Sequence, residues 1–199
     1  MLIKVCGMRE SQNIDQVVAL GVDMLGFIFY DRSPRFVDTP PYPTATSRVG
    51  VFVNESLEKI LEIAKSYSLT HIQLHGSESV EMCDAIRNEG LKVIKALSIA
   101  QSEDFDRAQS YHGHADMLLF DTKCSGYGGS GEQFDWTLLD RYHGETPFML
   151  SGGIDENSAE QIRAISHPQL AGVDLNSRFE DAPALKNIER LKTFIDKIR

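Results

Sequence analysis

Eight short apolar or β-branched segments recur along the chain, separated by stretches whose apolar residues have helical spacing. Most of the segments are continuously apolar rather than alternating, which is typical of parallel strands covered on both faces. The predicted strands are Leu2–Cys6, Met24–Phe29, Val49–Val53, His71–Leu74, Lys92–Ala96, Met117–Asp121, Pro147–Ser151 and Ala171–Leu175. Eight strands alternating with helices in 199 residues predict an α/β fold, a single (β/α)8 TIM barrel near the lower size limit of that architecture.

The stretches between the predicted strands carry apolar stripes on one helix face. The clearest stripe has the spacing i, i+3, i+4, i+7 and consists of Leu57, Ile60, Leu61 and Ala64. Similar spacing recurs in segments 80–86 and 188–198. The connection after the second strand contains four prolines, which leaves room for a short helix at most. The connection after the sixth strand is glycine-rich and predicts a long functional loop, followed by a brief helix near Trp136–Tyr142.

An open doubly wound sheet is the main alternative architecture. Such a sheet usually has fewer strands, and its dinucleotide-binding form carries a G-x-G-x-x-G motif after the first strand. This chain has "CGMRES" at that place. No long linker, low-complexity tract or internal repeat divides the sequence, so residues 1–199 are predicted to form one TIM-barrel domain.

Composition restricts the partners of the chain. The net charge of −9 argues against a nucleic-acid surface, which needs clustered Lys and Arg to neutralise phosphates. The three cysteines form no C-x-x-C pair, which disfavours a disulfide framework and a zinc site. The N-terminus lacks a signal-peptide pattern, and no apolar run approaches the roughly 18 residues that span a bilayer. We therefore expect a cytoplasmic protein with free thiols and with no membrane partner.

In a TIM barrel the chemistry takes place at the carboxyl ends of the strands. This rule selects residues from the predicted strand ends alone. They are Cys6, Arg32, Arg35, Asn54, His75, Gly76, Asp121, Ser151, Gly152, Gly153, Asn176 and Ser177. A thiol, a carboxylate, arginines and two loops of small residues are thus predicted to face one mouth of the barrel.

Cys6 and Asp121 are the candidate acid–base groups. A thiol is mostly protonated at neutral pH unless nearby cations or dipoles lower its pKa, and position alone suits Cys6 equally to a structural role. Asp121 ends an apolar strand, where desolvation favours a protonated carboxyl able to act as a general acid; capping the following loop is its alternative role. Cys83 lies on an apolar helix stripe and is interpreted as a core residue, whereas Cys124 lies in a polar loop.

The loops "LSGGI" and "GVDLNS" end the last two predicted strands, where TIM barrels often bind phosphate through backbone N–H groups. Gly152 and Gly153 allow a ligand to approach because glycine has no Cβ, although two glycines also suit a tight turn. Arg35 is suited to bind a carboxylate or is simply solvated. His75 either lines the pocket or hydrogen-bonds within the barrel, and Asp174 is interpreted as a structural acid.

Seven segments from Lys4 to Glu180 carry a family resemblance. In chain order they read "KVCG", "GFIFYDRSPR", "VGVFVN", "IQLHGSE", "LLFDTKCSGYGGSGEQFDW", "LSGGI" and "GVDLNSRFE". Their set and order resemble the phosphoribosylanthranilate isomerases of tryptophan biosynthesis. The resemblance implies a TIM barrel that converts N-(5-phosphoribosyl)anthranilate to 1-(2-carboxyphenylamino)-1-deoxyribulose 5-phosphate. This reaction is an Amadori rearrangement and implies no metal and no organic cofactor.

The resemblance also implies residue roles. Cys6 corresponds to the general base and Asp121 to the general acid. Arg35 corresponds to the residue that meets the anthranilate carboxylate, and the last two loops correspond to the phosphate site. The substrate-binding residues predicted in this way, with His75 added as a pocket-lining side chain, are Arg35, His75, Gly152, Gly153, Asn176 and Ser177. The implied partner is a small phosphorylated substrate, and the chain is either a monomer or a homodimer.

Two positions depart from the family pattern: Glu132 stands where many members have lysine, and Arg178 stands where glycine is usual. Arg178 either adds charge near the phosphate or points away from it. The histidine-pathway aldose–ketose isomerase is a rival, but that family has aspartate where this chain has Cys6. A non-catalytic phosphate sensor would need neither Cys6 nor Asp121, and a redox pair of Cys6 with Cys124 has no motif support.

Overall fold

A computed structural model describes residues 1–39, 44–122 and 135–199. Eight parallel strands form a closed barrel in which each strand pairs with its neighbours in sequence and the last pairs with the first. They are β1 (Leu2–Val5), β2 (Met24–Ile28), β3 (Ser47–Phe52), β4 (His71–Leu74), β5 (Lys92–Ile99), β6 (Met117–Thr122), β7 (Phe148–Leu150) and β8 (Leu170–Leu175). The predicted TIM barrel is confirmed, and β5 runs three residues beyond its predicted end.

Helices lie between the strands on the outside of the barrel. They are α1 (Ser11–Ala19), α2 (Leu57–Ser66), α3 (Val80–Asn88), α4 (Asp106–Gln109), α5 (Ala159–Arg163) and α6 (Ile188–Ile198). The three predicted apolar stripes fall on α2, α3 and α6, and each helix buries part of its stripe. In α2 the Ser56 hydroxyl accepts a hydrogen bond from the Lys59 N–H, which caps the helix N-terminus.

The two irregular connections follow the sequence patterns where they are described. The proline-rich connection from β2 to β3 contains no helix among its described residues, 29–39 and 44–46. A 3₁₀ turn at Trp136–Arg141 occupies the place of the predicted brief helix. The glycine-rich loop with Cys124 and Glu132 lies outside the described residues. A short hairpin, β9 (Glu180–Ala182) and β10 (Leu185–Lys186), follows β8.

The hydrophobic core has two parts. Most of it lies between the barrel and the helices and includes Cys83, which is fully buried as predicted. A smaller cluster fills the barrel interior and consists of Met24, Val49, Ile94, Ala96 and Leu119. Towards the carboxyl ends of the strands, polar residues such as Gln73, Asp121 and Asp174 join apolar ones such as Ile28 and Val51. In the described part of the chain, no helix is long and apolar enough to cross a membrane.

A buried ion pair between Lys95 on β5 and Glu78 fixes the carboxyl ends of β3 and β4. The Lys95 ammonium lies 2.9 Å from the Glu78 carboxylate and also donates to the carbonyls of Leu74 and Gly76, at 3.1 and 2.8 Å. Glu78 in turn accepts the backbone N–H groups of Asn54 and Gly76. Burial lowers the pKa of Lys95, and the adjacent Glu78 opposes that shift. The network therefore sets the backbone on both sides of His75.

We expect Lys95→Met to lower the free energy of unfolding by about 3–5 kcal/mol, because it leaves the Glu78 carboxylate buried without its cation. Urea unfolding followed by circular dichroism measures this change. The midpoint should fall while the dependence on urea concentration stays the same.

Lys192→Met is the matched control. Lys192 forms an ion pair with Asp196 within α6, but both side chains are more than half exposed. Exposed pairs of this kind contribute little, so this variant should unfold like the wild type. Equal midpoints for the two variants would contradict the role assigned to Lys95.

Candidate active site

A cleft opens at the carboxyl ends of the barrel strands, with about 790 Å³ of open volume. Every catalytic or substrate-binding residue predicted from the sequence lines it: Cys6, Arg35, His75, Asp121, Gly152, Gly153, Asn176 and Ser177. The predicted rim residue Asn54 does not line the cleft, because its side chain accepts hydrogen bonds from the Ser77 N–H and hydroxyl groups. Among the described residues, no group of three His, Cys, Asp or Glu side chains is arranged to hold a metal ion.

Cys6 follows β1 and lies at the floor of the cleft. It is only 3% exposed, although it belongs to the cleft lining. Gly26 on the neighbouring strand β2 makes room for it, since a Cβ at that position would lie 2.7 Å from the Cys6 sulfur. The Cys6 thiol therefore lies at the boundary between the packed barrel interior and the cleft. A ligand bound in the cleft can contact it from the open side.

Two buried lysines lie close to the thiol. Burial raises the pKa of the Cys6 thiol; Lys4 and Lys186 oppose this shift, and Asp174 adds to it. The sequence analysis required a nearby cation for a reactive thiol, and Lys4 and Lys186 meet that condition. Desolvation nevertheless outweighs both cations, so the pKa of Cys6 is raised overall. Cys6 is predominantly a thiol at neutral pH, and its conjugate base is correspondingly strong.

Lys4 is held by an ion pair inside the barrel. Its ammonium lies 2.9 Å from the Asp174 carboxylate, and both side chains are almost completely buried. Burial alone would lower the pKa of Lys4, but the adjacent Asp174 and Cys6 groups raise it, so Lys4 remains a cation. Asp174 thus fixes the lysine beside Cys6, and it also lines the cleft.

Arg35 is bound to a carboxylate of the protein itself. Its Nε and Nη2 atoms donate to Glu180 at 2.6 to 3.0 Å, and the Lys186 ammonium donates to the same carboxylate at 2.5 Å. Burial opposes ionisation of Glu180, but Arg35 and Lys186 lower its pKa and keep it charged. The pair fixes one edge of the guanidinium, and the side chain still lines the cleft. Lys186 also donates to the Asn176 amide oxygen at 2.8 Å.

Asp121 lies on β6, three strands around the barrel from β1, and it accepts one hydrogen bond and lies close to a histidine ring. Its Oδ1 atom accepts the Thr122 N–H at 2.9 Å, and its Oδ2 atom lies 3.3 Å from the His75 Nε2 atom. The His75 Nδ1 atom is 2.8 Å from the Gln73 amide nitrogen. Both roles suggested for His75 are thus observed, because it lines the cleft and also hydrogen-bonds within the barrel.

The loop after β7 has a backbone that favours glycine. Gly152 and Gly153 have φ angles of +84° and +67°. A Cβ on Gly152 would also lie 2.6 Å from the Thr122 backbone nitrogen and 2.8 Å from the Asp121 carboxylate. Within the described residues, the backbone N–H groups of Gly152 and Ser177 have no hydrogen-bond acceptor. Both residues line the cleft, and backbone N–H groups without an acceptor are the donors that bind an anion in such loops.

Four functional neighbours were missed by the sequence analysis: Lys4, Gln73, Glu180 and Lys186. All four are polar or charged side chains that are buried or nearly so. Lys4 and Gln73 alternate with apolar residues inside their strands, which is a signal for an inward-facing polar layer. Glu180 and Lys186 carry no local signal, because only the hairpin after β8 brings them to Arg35.

Comparison with known proteins gives a consistent family. A family model described as N-(5'phosphoribosyl)anthranilate (PRA) isomerase matches residues 3–197. The N-(5'-phosphoribosyl)anthranilate isomerase of Parabacteroides distasonis is 52% identical over 206 residues, covering 100% of this chain and 93% of the relative. That of Zymomonas mobilis is 38% identical over 208 residues, covering 98% and 97%.

Solved structures give the same result. The phosphoribosylanthranilate isomerase of Thermotoga maritima superposes with a TM-score of 0.84 at 36% identity, covering 100% of this chain and 98% of that one. A phosphoribosylanthranilate isomerase in complex with reduced 1-(o-carboxyphenylamino)-1-deoxyribulose 5-phosphate has a TM-score of 0.83 at 32% identity, with the same coverage. From its sequence, fold and cleft, the chain belongs to the N-(5′-phosphoribosyl)anthranilate isomerase family.

Proposed function

We propose that this chain catalyses the Amadori rearrangement of N-(5-phosphoribosyl)anthranilate to 1-(2-carboxyphenylamino)-1-deoxyribulose 5-phosphate in tryptophan biosynthesis. The observation that carries the proposal is that Cys6 and Asp121 line one cleft together with Arg35 and the glycine loop after β7. An acid, a base and two kinds of anion-binding group are the parts that this reaction requires. Family membership supports the same substrate.

Asp121 acts as the general acid that opens the sugar ring. Its proton passes to the ring oxygen as the C1′–O bond breaks, and the electron pair of that bond stays on the oxygen. The anthranilate nitrogen shares its lone pair with C1′, which gives a protonated imine. The carboxylate left on Asp121 is stabilised by the Thr122 N–H group and by the nearby His75 ring.

Cys6 acts as the general base in the next step. The imine cation withdraws electrons from C2′ and makes its C–H bond acidic, so the thiolate removes that proton and an enolamine forms. Lys4 and Lys186 favour the thiolate, and the imine cation adds to their effect at the moment of transfer. Return of the Cys6 proton to C1′ and of the enol proton to Asp121 gives the ketone and restores both groups.

Binding of the two charged ends of the substrate positions the sugar between these groups. The anthranilate carboxylate meets Arg35, whose guanidinium Glu180 holds along one edge. The phosphate meets the backbone N–H groups of Gly152 and Ser177, next to Gly153 and to Asn176, whose amide oxygen accepts from Lys186. With both ends fixed, the reacting atoms stay close to Cys6 and Asp121, which lowers the entropic cost of each proton transfer.

Cys6→Ala and Asp121→Asn should each lower kcat by about 10²–10⁴-fold, because each removes one proton-transfer group. Conversion of N-(5-phosphoribosyl)anthranilate by the purified enzymes, together with rescue of a tryptophan auxotroph that lacks this isomerase, measures the loss. The wild type should restore growth.

Cys83→Ala is the matched control for the thiol, because Cys83 is fully buried against the helices and is absent from the cleft lining. We expect normal turnover from the folded fraction of this variant. Undiminished turnover in purified Cys6→Ala would refute the assignment of the base. Wild-type protein that fails to convert the substrate would refute the proposed function itself.

The raised pKa of Cys6 predicts its alkylation behaviour. Since only the thiolate reacts, the rate of modification by iodoacetamide should rise about tenfold for each pH unit and should still be rising near pH 9. An unperturbed thiol with a pKa of about 8.5 levels off there, and a small free thiol serves as reference. Peptide mass spectrometry separates Cys6 from the other cysteines. A plateau below pH 8 would show instead that Lys4 and Lys186 dominate.

Arg35→Ala should act mainly on binding. Loss of a charge-assisted hydrogen bond to the substrate carboxylate predicts a KM increase of about 10- to 100-fold, with a much smaller change in kcat. Arg32→Ala is the control, because Arg32 lies in the same loop but is exposed. If KM and kcat both stay at wild-type values in Arg35→Ala, Arg35 is not part of the substrate site.

A further inference from the structure

We propose that Gln73 is a positioning residue that holds His75 as a neutral imidazole with its proton on Nε2, the ring nitrogen beside Asp121. This inference rests on the proposed function, in which Asp121 delivers a proton. Gln73 does not itself touch the reacting atoms in this scheme. It acts through His75 on the acid.

The position of Gln73 is unusual for an amide side chain. It lies on β4 and is 1% exposed, at the upper end of the barrel interior. Its amide nitrogen lies 2.8 Å from His75 Nδ1, while its amide oxygen is buried with no hydrogen-bond partner among the described residues. An unsatisfied buried oxygen is costly, so the contact that justifies this residue is the one made by its N–H group.

That single contact determines the tautomer of His75. Because an amide N–H donates to Nδ1, Nδ1 must be the nitrogen without a proton. The one proton of the neutral ring then lies on Nε2, which is 3.3 Å from Asp121 Oδ2. The contact also disfavours the imidazolium form, since an imidazolium would direct a second N–H against the amide.

A neutral donor is the partner that a general acid requires. A cationic imidazolium beside Asp121 would hold it permanently as the carboxylate, and no proton would be available for ring opening. A ring without a proton on Nε2 would not stabilise the carboxylate that forms when the proton leaves. The neutral Nε2–H tautomer satisfies both conditions, and Gln73 selects it.

Other charged groups face this pair from the surrounding strands, and substitution of Gln73 leaves all of them in place. Asp174 on β8 interacts electrostatically with both Asp121 and His75. Lys95 on β5 donates to the carbonyls on either side of His75. The remaining charged or titratable groups that line or adjoin the cleft are Lys4, Cys6, Tyr30, Arg35, Glu78, Arg178, Glu180 and Lys186.

Gln73→Glu tests the inference because it keeps the shape and replaces the donor by an acceptor. A carboxylate opposite Nδ1 favours the imidazolium, so kcat near pH 8 should fall by at least about tenfold while KM stays within about threefold. Gln73→Met removes the donor without adding a charge, and its kcat should also fall. Gln109→Glu makes the same chemical change on the exposed face of α4 and should behave like the wild type.

A readout independent of turnover separates this inference from the proposed function. The ¹⁵N signals of the His75 ring distinguish the two neutral tautomers and the imidazolium. We expect a neutral ring protonated on Nε2 in the wild type at neutral pH, and an imidazolium in Gln73→Glu. A wild-type ring protonated on Nδ1, or kcat in Gln73→Glu within about twofold of wild type near pH 8, would overturn the role of Gln73. If the wild type shows the expected tautomer but does not convert the substrate, the proposed function fails instead.

Discussion

The ion pair between Lys4 and Asp174 connects the closure of the barrel to the reactivity of its thiol. The two residues are direct partners in the register between β1 and β8, the strands that close the sheet. Both side chains point inward above the apolar layer and neither is more than 5% exposed. A buried pair of this kind contributes little net stability compared with apolar residues of equal size. The presence of this pair in the barrel interior is better explained by the Lys4 ammonium, which Asp174 holds in place beside Cys6.

A buried carboxylate also holds cations in place beside Arg35. Glu180 binds Arg35 and Lys186 together, so a single carboxylate compensates two cations that would otherwise repel each other. The chain as a whole carries a net charge of −9, yet Arg35 and Arg178 line its cleft and the Lys4 and Lys186 side chains lie buried near Cys6. Affinity for a small anionic substrate is therefore a local property, which a global charge does not predict because salt screens charges beyond a Debye length.

The sequence predicted the parts of this molecule that depend on local pattern. Continuous apolar runs identify strands, and the rule that chemistry lies at their carboxyl ends then identifies Cys6, Asp121 and the Gly152–Gly153 loop. The contacts of Arg35 with Glu180 depend on residues 145 positions apart in the chain, and no local pattern contains them. The upward pKa shift of Cys6 was also beyond the sequence, because it results from competition between burial and two lysines whose proximity depends on the closed barrel.

Arg178 shows how the structure resolves a departure from the family pattern. A side chain at a position where glycine is usual would be strained if the backbone there were left-handed. The described non-glycine residues with positive φ are Asn54, Ser68 and Ala184, and Arg178 is not among them. The loop after β8 thus accepts an arginine without strain, and that arginine lines the cleft next to Ser177. Arg178 therefore adds a positive charge to the wall of the cleft while the backbone of the loop stays in an ordinary conformation.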